Sequence, residues 1–136
     1  MRRTCAVILL TLILCLHYSG QAVRASEIEV FDVVQGSVIK HIEGTPYVQQ
    51  EMRNMVQTIT GMVKDLKIEP TDGYLVKIPL EPPIMIKDPY LNILAEELIL
   101  FISSDSEPKL LLFSDENQPY FVHFNYDFSF FLLNTI

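Results

Sequence analysis

Beyond residue 25 the chain has no cysteine, and the whole 136-residue sequence has no tryptophan and only five glycines. Both cysteines, Cys5 and Cys15, fall in the first 25 residues. The other 111 residues therefore offer no disulfide framework, no Cys-ligated metal site and no thiol nucleophile. Basic charge is scarce as well: residues 26–136 hold seven Lys/Arg against seventeen Asp/Glu, a formal charge of −10. Holding phosphates needs clustered Lys/Arg, so nucleic acid is not expected as a partner. The four glycines in that stretch form no phosphate-cradling loop, and no G-x-S-x-G elbow presents a serine nucleophile. No repeat, low-complexity tract or Gly/Ser-rich linker divides it, which makes one domain the economical reading.

What is present first is a targeting pattern. Residues 1–25 carry three arginines and no acid. Arg2 and Arg3 open it, and residues 5–16 (CAVILLTLILCL) form a twelve-residue run interrupted only by Thr11. Polar residues follow as far as Arg24, and Ala25 is a small residue suited to the last position before a cut. These are the parts of a secretory signal peptide, with cleavage expected after Ala25. A retained membrane anchor is the competing reading, but twelve residues fall well short of the ~20 needed to cross the hydrocarbon core. No integral span is therefore expected after cleavage. Cys15 follows Leu12, Ile13 and Leu14 rather than the small residues of a lipoprotein signal, and the arginine pair lacks the flanks of a twin-arginine signal. The expected address is secreted or the exterior of the cell envelope. None of the five asparagines after residue 25 starts an N-x-Ser/Thr acceptor.

The remaining 26–136 segment reads as a single α+β domain. Residues 27–34 and 38–42 flank Gln35-Gly36-Ser37 and predict an N-terminal hairpin. Thr45 and Pro46 then supply a cap and a first-turn proline. Val48, Met52, Met55, Val56, Ile59, Met62 and Val63 recur at helical spacing, so a long amphipathic helix is expected over residues 46–63. Its methionine stripe suits either an adaptable groove or, more economically, packing on a sheet. Residues 66–69 and 74–80 flank a Pro-Thr-Asp-Gly turn and predict a second hairpin. Prolines 79, 82 and 83 point to a sheet edge or bulged crossing, with residues 84–87 as a further short extended piece. Asp88-Pro89 repeats the cap-then-proline device and predicts a short helix over residues 89–97. Residues 98–102 (LILFI) suit a strand buried on both faces. Residues 110–113 and 120–124 predict another hairpin, and Asp127 is placed to cap a last apolar segment, 128–133. The fold class expected is α+β in two layers: a mainly antiparallel sheet of five to seven short strands, packed by one long amphipathic helix and one or two short ones.

Chemistry-bearing residues are dispersed. His41 and His123 stand within strands and lack any local H-E-x-x-H spacing, so no metal ligands are assigned. Asp105 with Glu107, and Asp115 with Glu116, lie at opposite ends of one strand, roughly 16 Å apart at the usual rise, too far to share a site. A calcium loop would use such oxygens, yet no D-x-[DN]-x-[DN]-G run is present. No catalytic residues and no cofactor are assigned. Eight of the fourteen aromatics crowd into residues 113–131. From these, Tyr120, Phe121, His123, Tyr126, Phe128 and Phe131 make the candidate partner-binding surface. Residues 128–136 (FSFFLLNTI) are too short to span a membrane and too apolar to hang free, so they should dock on their own domain, a partner, or a second copy in a homo-oligomer. The expected function is thus a small secreted, acidic, cysteine-free binding module for a protein or an apolar small ligand. The alternative is a small secreted hydrolase using dispersed Asp/Glu and His, which a cleft gathering His123 with two acids would favour. A carrier enclosing an apolar ligand between helix and sheet is a third reading.

Overall fold

A computed structural model describes residues 26–64 and 70–136. The expected signal segment, both cysteines and the extended run 66–69 lie outside the described residues. Seven strands form one antiparallel sheet: β1 (Glu27–Asp32), β2 (Ser37–Glu43), β3 (Ile59–Met62), β4 (Tyr74–Lys87), β5 (Asn92–Ile102), β6 (Lys109–Ser114) and β7 (Pro119–Phe124). Their spatial order is β2-β1-β4-β5-β6-β7-β3. Two helices, α1 (Pro46–Val56) and α2 (Ser129–Thr135), complete the described fold.

The long amphipathic helix does not form. α1 has only 11 residues, and the sheet dominates the fold. Its start follows the local chemistry, since Thr45 Oγ1 accepts the Val48 N–H at 3.3 Å and Pro46 occupies the first turn. Its end was hidden by coincident spacing. Thr58 donates both its N–H and its hydroxyl to the Met55 carbonyl, closing the helix. Ile59 then stays buried as the first residue of a strand paired with β7. Thr58, Ile59, Thr60 and Gly61 are poor helix formers, and the β7 edge offers them a ladder instead.

The expected helix at 89–97 is also absent. Asp88 accepts the N–H groups of Tyr90 and Leu91 at 2.7 and 2.8 Å, so the cap-like Asp-Pro pair forms the apex of a hairpin. β5 follows from Asn92, making strands of 14 and 11 residues rather than short ones. Register shifts mark bulges between Pro79 and Ile84, where β4 pairs with β5, and between Ala95 and Glu97, where β5 pairs with β6. They change the parity of the buried residues in β5 from Leu98 and Leu100 to Ile93 and Ala95. Tyr74–Lys77 of β4 pair with β1 on one side and β5 on the other. The hairpins at 27–43 and 109–124 form where the flanked turns indicate them.

The core lies on one face of the sheet, its inner face. Ile28, Val30, Val76, Ile78, Leu98, Leu100, Leu110, Leu112 and Val122 are fully buried there. They cluster with Val48, Met52, Met55 and Val56 of α1 and Phe131 of α2. Gln49 fixes α1 to the β4 bulge, donating to the Pro79 carbonyl at 2.8 Å and accepting the Glu81 N–H at 3.0 Å.

Candidate functional site: the outer face of the sheet

Directly paired residues of an antiparallel sheet point to the same side, so the register defines the opposite face. One row runs Phe31, Leu75, Phe101, Lys109 and His123. The next runs Glu29, Lys77, Ile99, Leu111 and Phe121, and the third brings Pro79, Glu97, Phe113 and Pro119 together. Seven of these are large apolar side chains: Phe31, Leu75, Ile99, Phe101, Leu111, Phe113 and Phe121. All seven are half-buried, and none belongs to the core cluster or packs against it. Phe101 and Phe121 meet edge to face with centroids 5.0 Å apart.

Such a face departs from the usual antiparallel pattern. A sheet solvated on one side alternates apolar-in and polar-out, whereas strands covered on both sides read as continuous apolar runs. β5 and β6 contain LILFI and LLLF, the second kind. Among the described residues both helices lie on the inner face. Charge surrounds the outer apolar patch in balance. Lys77 Nζ stands 3.6 Å from Glu29 and 3.7 Å from Glu97, and Lys109 flanks the other side, donating to the Glu107 carbonyl at 3.3 Å. Across β1, β4, β5, β6 and β7 the patch is about 20 Å wide at the usual ~4.8 Å strand spacing.

The structure divides the six candidate residues. Phe121 and His123 stand on the outer face. Tyr120 pairs with Leu112 on the inner face and packs against the core. Tyr126 and Phe128 also pack against the core, and Phe131 is 1% exposed within it. The Tyr126 hydroxyl donates to Glu51 at 3.0 Å, and burial chiefly holds that phenol above its usual pKa. Sequence reasoning missed Phe31, Leu75, Ile99, Phe101, Leu111 and Phe113. For the last four the signal was the lack of alternation in β5 and β6.

The dispersed acids are not gathered with His123. His123 is opposite Lys109 and Gly61, while Asp115 and Glu116 lie in the turn beyond Pro119, four residues or roughly 13 Å away along β7. Asp72 accepts from the hydroxyls of Ser103 and Ser104, and Ser103 also donates to Asp105. Those hydroxyls hold the Asp72 carboxyl below the usual carboxylate range, and the cluster ties the start of β4 to the end of β5. Among the described residues, no three His, Asp or Glu side chains converge as metal ligands, and no helix is long and apolar enough to cross a membrane. Two clefts of about 440 and 320 Å³ flank the β4–β5 hairpin tip and share Met85 and Lys87. Asn92, Asp115 and Glu116 line the larger and Arg53 and Asp88 the smaller, so both are mixed in polarity. Comparison with family models, with curated proteins and with solved structures gave no match.

Proposed function

We propose that the protein is a small binding module acting outside the cell or at its envelope, and that the outer face of its sheet holds an apolar partner surface. The observation that carries this reading is the set of seven half-buried apolar side chains on a face that no described element covers. Contiguous apolar patches of several hundred Å² on a soluble domain mark interaction sites. The partner surface is apolar at its centre, where Ile99, Leu111 and Phe121 lie. At its margin it carries polar groups able to meet Glu29, Lys77, Glu97 and Lys109. The signal-like leader and the cysteine-free acidic domain support the external address.

The test is affinity capture from the native exterior, comparing the wild-type chain with Leu111→Glu. A partner held by the face is retained by the wild type and depleted at least ~10-fold by the variant, because a buried unpaired charge at an interface costs several kcal/mol. Equal recovery on both baits contradicts the proposal. Circular dichroism of the variant checks that the fold survives.

A further inference from the structure

We propose that two copies of the chain pair through the exposed side of α2. This surface is separate from the outer sheet face. Phe131 and Thr135 turn inward, at 1% and 4% exposure, while Phe130, Leu133 and Ile136 are 62%, 84% and 42% exposed. Residues three apart share one side of a helix, so these three form a continuous stripe. Tyr47, 46% exposed, extends it: its ring meets Phe130 edge to face at 6.0 Å. The inward half of α2 is buried by the chain itself, while its outward half, polar only at Ser129 and Asn134, is not.

The occupant follows from charge, symmetry and area. Residues 129–136 contain no ionisable side chain, in a domain where acids outnumber bases seventeen to seven. The adjacent acids are engaged: Asp127 accepts the N–H and hydroxyl of Ser129, and Glu51 accepts from Tyr126. The stripe itself therefore sets no charged side chain of one copy against the other. The stripe is also self-complementary about its middle residue. A two-fold axis through Leu133 sets Leu133 on Leu133 of the partner subunit and Phe130 on Ile136 of the partner subunit, the isologous arrangement of a closed dimer. Large aromatic side chains present ~200 Å² each, so the four residues offer about 400 Å² a copy and ~800 Å² in all. That falls below the ~1,200 Å² at which stable specific interfaces begin, so the dimer is a weak, transient one.

Sedimentation velocity on the full chain from about 1 to 300 μM, spanning a micromolar dissociation constant, tests this. The wild type shows a concentration-dependent shift from monomer to dimer. Leu133→Asp raises the dissociation constant at least ~30-fold, as expected for charging the centre of an interface, and leaves the thermal midpoint unchanged at dilutions where both proteins are monomeric, because the residue is exposed. Leu111→Glu, on the sheet face, leaves the dimer intact. A wild type that stays monomeric throughout overturns the proposal. So does a dimer that survives Leu133→Asp, and one abolished only by Leu111→Glu, which would move the contact to the sheet. Sedimentation with added phosphatidylcholine vesicles completes the set: a monomer that binds them through Leu133 also overturns it.

Discussion

Gln49 joins two elements about thirty residues apart in sequence, and does so from a nearly buried position. Gln49→Leu keeps the volume but strands the Pro79 carbonyl and the Glu81 N–H beneath α1. The expected loss is about 2 kcal/mol or more in urea denaturation, the desolvation cost of unsatisfied backbone groups. Asp72 gives a second test, through pH. Its carboxyl is held low, first by Ser103 and then by Ser104. A depressed folded-state value stabilises the fold above the ordinary carboxylate pKa of ~4, and that contribution fades as pH falls through the folded value. Asp72→Asn should therefore lower the thermal midpoint near neutral pH. The gap from wild type should close toward about pH 2, once the wild-type carboxyl is itself protonated. A constant gap across that range would show that the aspartate acts through shape and not through charge. At Gly73, φ is +85° and an added Cβ would strike the Ile102 carbonyl, so this turn tolerates no side chain.

At the scale of elements, β6 separates the two faces within adjacent residues. Leu110 is fully buried on the inner face, while Leu111 is half-buried on the outer one. Leu110→Ala should cost about 3 kcal/mol in chemical denaturation, as core truncations do, and Leu111→Ala under about 1 kcal/mol. Equal losses would mean that the outer face is packed within the free protein. The same strand shows what the sequence made legible. The turns that flank the hairpin strands in 27–43 and 109–124 and the Thr45-Pro46 start of α1 are local signals, and they hold. The end of α1 was obscured because Ile59 serves the core equally well from a helix or from the first position of β3. Only pairing with β7, more than sixty residues later, decides it. Asp88-Pro89 failed for a related reason: an aspartate that accepts the next N–H groups serves a helix start and a hairpin apex alike. The site was legible only in part. Phe121 and His123 followed from alternation on β7. Tyr126, Phe128 and Phe131 looked equivalent in composition, yet the chain beyond β7 returns over the inner face and places them against the core.

For the whole molecule, the excess of acids coexists with one sheet face that is apolar at its centre and balanced at its rim. An antiparallel sheet needs only one covered face to fold, and here α1 and α2 cover it. The apolar outer face therefore has no part in the described core, and binding is the role we propose for it. The most direct measurement is hydroxyl-radical footprinting of the native protein, with side-chain oxidation read by mass spectrometry. Phe101, Phe113 and Phe121 should label at least ~10-fold faster than the core Phe131, since labelling rate follows solvent access and Phe131 is 1% exposed. Labelling of all four at the slow rate of Phe131 would show the outer face closed in the free protein and contradict the account.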